Sequence, residues 1–214
     1  MIIILEGPDG CGKTTIADEI RKQSKDNLLA TRCPGSEYSS VCKGLRLMMF
    51  DEKTSHRAQY HMIWADFYQM FDTVIIPALK LNKVVLLERF ITSTYVYQYL
   101  LKNSMEKYSV ISDMVDFKNR YLEFWNQIFY FYLEVNPEEM SRRINERKNT
   151  DDPSGFDKWS SENSRRMIQY YEEALVILKS HLHINSYRID TTNRTIKQIV
   201  KEIYYVANRV NLYE

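Results

Sequence analysis

The chain has 214 residues, and its 29 Lys and Arg against 28 Asp and Glu leave a net charge of +1. That length can bury the core of one domain, and the lack of any uninterrupted basic stripe argues for a free small-molecule ligand and against nucleic acid. No stretch approaches the roughly 18 apolar residues of a membrane span, and Met1 leads straight into an apolar strand, so a cytoplasmic protein with no membrane partner is expected.

The first element is the apolar run Ile2-Ile3-Ile4-Leu5, read as a buried strand. Behind it comes Glu6-Gly7-Pro8-Asp9-Gly10-Cys11-Gly12-Lys13-Thr14-Thr15. From Gly7 this fits G-x-x-x-x-G-K-[ST], in which backbone N–H groups wrap a polyphosphate and the lysine reaches its terminal groups. Lys13 is expected to face solvent there and to serve phosphate charge rather than packing. A weak strand at 28–31 runs into Thr31-Arg32-Cys33-Pro34-Gly35, with Arg46 on the next helix. Arg32 fits a phosphate ligand and a solvated turn equally well. Residues 57–81 carry Trp64, Phe67, Phe71, Val74, Ile75, Ala78 and Leu79 at intervals of three and four, which predicts one long helix. Cys11, Cys33 and Cys42 lack any paired C-x-x-C spacing and read as reduced thiols.

The run 83–87 is the next strand, followed by Glu88-Arg89-Phe90; that acid can share a Mg²⁺ shell and Arg89 can grip phosphate, although the two also fit a plain strand-end ion pair. After a strand at 128–133, Asn136 caps a helix with Pro137 in its first turn. Arg142, Arg143 and Arg147 lie on this helix, the last two one turn apart on one face. The polar segment around 148–157, with Pro153 and Gly155, reads as a mobile lid, and phosphoryl transfer needs such closure to exclude water. A weak strand at 184–189 and a helix starting at Thr192 or Asn193 complete the chain. Alternating strands and helices predict a doubly wound α/β fold with a mostly parallel five-stranded sheet in a single domain. Ligands then bind at the carboxyl ends of the strands.

In combination these segments resemble the thymidylate kinase family. The resemblance rests on Gly7 to Thr14, Arg32-Cys33-Pro34-Gly35, and Glu88-Arg89-Phe90-Ile91-Thr92-Ser93-Thr94-Tyr95-Val96-Tyr97-Gln98, and it continues through Leu133 to Glu138, Arg143, Arg147 and Ile189-Asp190. It implies transfer of the γ-phosphoryl of ATP, with Mg²⁺, to a deoxynucleoside 5′-monophosphate in a homodimer. Asp9, Gly10, Cys11, Gly12, Lys13, Thr14 and Thr15 would hold ATP, Thr14 and Glu88 the metal, and Asp9 the acceptor's sugar. Arg89 and Arg46, with Arg32, would bind the acceptor phosphate, and Ser93, Tyr97 and Gln98 would line the base pocket. Arg147 or Arg143 would supply the catalytic arginine.

The chain departs from the family pattern where an arginine usually follows Ala-Asp: Ala65-Asp66 precedes Phe67, and the base-stacking phenylalanine falls near Ile63-Trp64. Trp64 and Phe67 are therefore candidates for the acceptor site, with dTMP or a 5-substituted dUMP as acceptor. A deoxynucleoside kinase, whose acid–arginine motif is often Glu-Arg, is the competing reading. A guanine-reading Asn-Lys-x-Asp is missing at Asn82-Lys83-Val84-Val85.

Overall fold

The computed structural model describes residues 1–24, 27–101, 105–147 and 160–211. Five strands, β1 (Ile2–Glu6), β2 (Leu28–Arg32), β3 (Val84–Glu88), β4 (Ile128–Glu134) and β5 (Ser186–Asp190), form one sheet in the order β2-β3-β1-β4-β5. Every neighbouring pair is parallel. Central β1 is apolar but for its last residue and buried throughout, as a strand covered on both faces must be.

Helices flank the sheet: α1 (Lys13–Gln23), α2 (Ser40–Met49), α3 (His56–Met70), α4 (Ile76–Lys80), α5 (Ile91–Thr94), α6 (Lys107–Arg120), α7 (Leu122–Trp125), α8 (Pro137–Arg147), α9 (Ser161–Leu182) and α10 (Ile196–Asn211). The expected helix over 57–81 is present with one difference. Between α3 and α4 the chain makes a π-helical turn, Phe71–Ile75, in which Ile76 N–H reaches the Phe71 carbonyl. Pro77, which has no N–H to give, follows at once, so the wider turn spares the helix a broken bond. A second π-helical segment, Tyr95–Leu101, continues α5.

Two of the helix starts can be checked directly. Asn136 caps α8 as expected, its Oδ1 accepting from Glu139 N–H at 2.7 Å. The last helix does not begin at Thr192 or Asn193. Asn193 has φ +54° and cannot open a helix there, and Thr195 caps instead: its hydroxyl accepts from Gln198 N–H at 3.3 Å while Gln198 Oε1 accepts from Thr195 N–H at 3.0 Å. Among the described residues no helix is long and apolar enough to cross a membrane. The expected lid at 148–157 lies outside the described residues.

Aromatic rings between α3 and α6 form the densest part of the core. Phe117 on α6 is fully buried and meets Phe71 and Tyr121 at 4.8 Å, Phe67 at 5.6 Å and Trp64 at 5.7 Å between ring centroids. Phe90, just past β3, joins the same cluster, its ring 6.3 Å from Phe117, so the core packs directly under the carboxyl end of the sheet. Phe117→Ala would leave a cavity among rings that cannot collapse onto it and should lower unfolding free energy by about 3–5 kcal/mol. Urea unfolding reads this, and a loss under about 1 kcal/mol, the scale of a surface change, would show that the cluster is not central to stability.

Candidate active site

Strand register assembles the site. Leu5 of β1 lies beside Glu88 of β3, and Glu88 beside Arg32 of β2. The segments that leave these three strands therefore meet at one edge: the glycine loop after β1, Arg89 after β3 and the Cys33-Pro34-Gly35 turn after β2. From β1 the chain moves outward to β2, back to β3 and then across to β4, and this reversal is where α/β sheets open a ligand crevice.

The loop from Gly7 to Gly12 is folded tightly enough to need its glycines. Gly7 has φ +144°, and a Cβ there would lie 2.7 Å from the Leu133 carbonyl oxygen. Gly12, with φ +96°, caps α1 in the left-handed region, so the helix starts with its backbone N–H groups turned towards the loop. Lys13 departs from the expectation of a solvent-facing side chain. It is only 7% exposed, and its ammonium donates to the Gly7 and Pro8 carbonyls at 2.7 and 2.8 Å with Cys11 Sγ at 3.6 Å. The physical reason is local. The loop's left-handed glycines turn these carbonyls inward, and a buried ammonium must find acceptors close by. Cys11 is buried beneath the loop, while Thr14 and Thr15 are exposed on α1. Thr14 hydroxyl donates to Glu88 Oε2 at 2.8 Å, joining loop and β3.

Beside the loop stands a residue that sequence reasoning passed over. Glu6 is fully buried, and both of its carboxylate oxygens are occupied. Oε1 accepts from Gly7 N–H at 3.1 Å, Ser93 hydroxyl at 2.8 Å and Tyr171 hydroxyl at 3.4 Å; Oε2 accepts from Phe90 N–H at 2.7 Å and Thr92 hydroxyl at 3.0 Å. The available signal was an acid ending an otherwise apolar central strand, a place where an unpaired carboxylate could not stay.

Arg89, between Glu88 and Phe90, has φ +67°, a left-handed backbone that a non-glycine residue adopts only when its surroundings insist. Its N–H donates to the Leu5 carbonyl at 3.0 Å. Its guanidinium pairs with Asp9 Oδ1, reaches Ser93 Oγ at 3.3 Å and Tyr171 hydroxyl at 3.5 Å, and lies 5.2 Å from the Tyr97 ring centre. Tyr97 hydroxyl donates to the other oxygen of Asp9 at 2.7 Å. Burial alone would raise the Asp9 carboxyl, but Arg89, then Lys13, and the bonds from Tyr97 and Arg89 hold it far below the usual carboxylate range. Burial likewise works against the Arg89 charge and is overcome by Asp9, then Tyr97, Tyr171 and Glu6. Glu88 and Arg89 thus face different partners, which removes the simple strand-end ion pair.

The third wall is the turn after β2. Arg46 donates to the Pro34 carbonyl at 2.8 Å and packs against Gly35 so closely that a Cβ there would meet Arg46 Cβ at 2.8 Å. Asp66 on α3 is fully buried and accepts from Gly35 N–H at 3.1 Å on both oxygens and from Cys33 Sγ at 3.4 Å, which locks the turn. Burial lowers the Arg46 pKa, and the nearby charges of Arg32 and Arg89 lower it further. The charges of Arg32 and Arg89 are thus both felt at Arg46, although Arg32 itself is exposed.

The remaining candidates divide. Ser93 is committed to Glu6 and Arg89, and Gln98 is 4% exposed on the π-helical segment. Trp64 and Phe67, at 6% and 1% exposed, belong to the aromatic core around Phe117, because an apolar face of α3 must be covered. Arg143 donates to Glu139, the Gly10 carbonyl and the Thr191 carbonyl, tying α8 to the loop and to the end of β5. On this side Gly12, Thr15, Arg142, Arg143, Thr191 and Arg194 line a cleft of about 520 Å³. The side chain of Arg147 lies outside the described residues.

A family model for thymidylate kinase matches residues 5–203. The chain belongs to the thymidylate kinase family. Among curated relatives, the thymidylate kinase of Prochlorococcus marinus (strain MIT 9301) is 31% identical over 215 aligned positions, covering 94% of this chain and 92% of that protein. The enzyme of Acholeplasma laidlawii (strain PG-8A) is 28% identical over 199 positions, covering 87% and 94%. A crystal structure of thymidylate kinase from Ehrlichia chaffeensis shares the fold at TM-score 0.63 and 19% identity, over 96% of this chain and 97% of that one. This thymidylate kinase family member is thus an ATP-dependent nucleoside monophosphate kinase that uses Mg²⁺. The Thr14 hydroxyl and Glu88 carboxylate, hydrogen-bonded to each other at 2.8 Å beside the loop, are oxygen donors of the kind Mg²⁺ takes.

The Asp9 contacts generate a pH prediction. Since the folded Asp9 pKa lies below its unfolded value, the ion pair stabilises the kinase above the ordinary Asp value of about 3.9 and this contribution is lost as pH falls further. Asp9→Asn should therefore cost more stability at pH 7 than at pH 3. Urea unfolding at the two values decides it, and an equal cost at both would refute the assigned pairing.

Proposed function

We propose that the kinase transfers the γ-phosphoryl of ATP to the 5′-monophosphate of a deoxypyrimidine nucleoside, dTMP or a 5-substituted dUMP, giving the diphosphate. The observation that carries this reading is the placement of Arg89, paired with Asp9 of the phosphate loop, and Arg46, held against the neighbouring turn after β2, at one edge of the sheet. Like charges gathered against their own repulsion suit a phosphate dianion, which Arg binds bidentately. A nucleoside acceptor would bring them no anion.

In this reading the loop's N–H groups and the N-terminus of α1 receive the ATP phosphates, and Lys13 turns from the Gly7 and Pro8 carbonyls to phosphate oxygens. Thr14 and Glu88 would hold Mg²⁺, directly or through water; when bound, the ion neutralises charge on the β- and γ-phosphate oxygens. The cleft lined by Arg142, Arg143 and Arg194 would receive the ATP base and ribose, with Cys11, Gly12 and Thr15 at its loop side. Arg89 positions the acceptor phosphate, Asp9 offers a carboxylate to the acceptor's sugar, and Tyr97 with Gln98 faces its base. Because Arg143 already spends its donors on Glu139, Gly10 and Thr191, we assign it to anchoring α8 and Arg147 to the developing charge of the transition state. Trp64 and Phe67 shape the pocket from behind through the core they fill.

The deciding experiment compares thymidine, dTMP, 5-substituted dUMP, dCMP and dGMP with Mg-ATP. The dTMP class should give the highest kcat/KM, and Arg89→Ala should lower it about 100-fold or more, the cost of removing one strong transition-state or anion contact. Faster turnover of thymidine than dTMP would refute the monophosphate reading and promote a nucleoside kinase.

The same proposal includes a cytoplasmic homodimer. Val41, Leu47, Met48 and Phe50 on and just after α2 are large apolar side chains at 49–77% exposure, and a second copy offers an equally apolar surface to cover them. Leu47→Asp should convert the dimer to a monomer in sedimentation velocity; an unchanged species, or a wild-type monomer, would remove this surface from the proposal.

A further inference from the structure

The Glu6 carboxylate does more than satisfy neighbours. Its Oε1 holds the N–H of Gly7, the first residue of the phosphate loop, and its Oε2 holds the N–H of Phe90, the residue after Arg89. Neither backbone donor can turn round, so both oxygens must accept. From Oε1 a second route runs through Ser93: its hydroxyl donates to Glu6 at 2.8 Å and accepts from Arg89 Nη1 at 3.3 Å. Tyr171 from α9 closes the ring, contacting Glu6, Ser93 and Arg89 together. Arg89 is thereby held twice, at its left-handed backbone by Phe90 and at its guanidinium by Ser93.

We propose that Glu6 is a positioning residue for phosphoryl transfer: one buried carboxylate, bonded to the phosphate loop through Gly7 and to the Arg89 turn through Phe90 and Ser93, sets the spacing between phosphate donor and acceptor phosphate. Glu6 touches neither nucleotide and acts through Arg89. This rests on Arg89 being the acceptor-phosphate ligand. In-line transfer tolerates little error in that spacing, since a misplacement of about 1 Å can cost 10²-fold in rate. Glutamine has the shape of Glu6 but carries an amide NH₂, which in either orientation points at the N–H of Gly7 or of Phe90. The Glu6→Gln variant therefore pushes the two parts off their spacing with no loss of volume.

The test is a double-mutant cycle, with kcat and KM for dTMP, affinity for a non-hydrolysable ATP analogue by calorimetry, and urea unfolding measured on wild type, Glu6→Gln, Arg89→Ala and the double variant. Glu6→Gln should lower kcat/KM for dTMP about 100-fold. ATP-analogue affinity should change less than about threefold, because the loop keeps every other bond. In the Arg89→Ala background the same substitution should cost no more than about twofold, the usual error of additivity. If Glu6→Gln unfolds, Ser93→Ala takes its place, and its loss in kcat/KM should likewise vanish once Arg89 is gone. Full additivity in whichever cycle is read would mean that Glu6 acts independently of Arg89, and would overturn the assignment. A wild-type enzyme inactive on every monophosphate would instead remove the reading on which it rests, while wild-type turnover of dTMP with additive losses would strike the Glu6 inference alone.

Discussion

A carboxylate with no solvent is the constraint on which the nucleotide end of this protein depends. Glu6 closes the central strand of the sheet at zero exposure. Taking such a group out of water costs several kcal/mol unless hydrogen bonds replace the solvent. Backbone N–H groups from both sides and hydroxyls from Thr92, Ser93 and Tyr171 supply those bonds. In a low-dielectric interior each bond is strong and each missing one is costly, so the five donors are fixed relative to one another. The glycine loop, the Arg89 turn and α9 become one rigid unit for that reason, and the left-handed backbone of Arg89, a strain of about 1–3 kcal/mol, is held in place by it.

Around this unit the charges are sorted by position rather than by count. A net charge of +1 gives no hint that Arg46 and Arg89 stand close enough to depress the Arg46 pKa once burial has already done so. Each cation is held by an acceptor on its inner side: Arg89 by Asp9, Arg46 by the Pro34 carbonyl. Asp66 in turn fixes the turn that Arg46 lies against through the Gly35 N–H. Charge fixed in this way is preorganised, which is what makes such groups effective where an anion binds.

Strand positions were legible because apolar runs flanked by turn residues leave few alternatives, and all five expected strands stand within about two residues of their observed ends, the usual boundary error. The glycine loop was legible because its function requires a fixed spacing. Glu6, Asp66 and the direction of Lys13 were not. Each of these depends on partners distant in sequence or on loop geometry: Glu6 on Thr92, Ser93 and Tyr171, Asp66 on Gly35, Lys13 on how the loop turns its carbonyls. Periodicity likewise marked Trp64 and Phe67 as a helical face but could not say whether ligand or Phe117 would cover it. The start of α10 was in principle readable, since Thr195-x-x-Gln198 is a capping box, but the polar Thr192 and Asn193 just before it offered a competing cap.

The two sides of the glycine loop are built differently, and the difference has a mechanical consequence. On the side of the Arg89 and Gly35 turns the anchoring groups are buried and bonded to backbone, as Glu6 and Asp66 are. On the side of α8 two bonds join exposed charges: Arg142, with more than half its side chain exposed, pairs with Glu146, and Arg165 on α9 pairs with Glu138. Exposed pairs contribute about 0–1 kcal/mol each, so they can exchange partners at little cost. Arg143, through Gly10 and Thr191, fastens α8 to the loop, and its bond to Glu139, together with that of Arg142, draws the Glu139 carboxyl down to about 2. The spacing of the Arg89 turn and the loop is thus fixed by the buried half. Movement is cheapest in the half where charges meet in water.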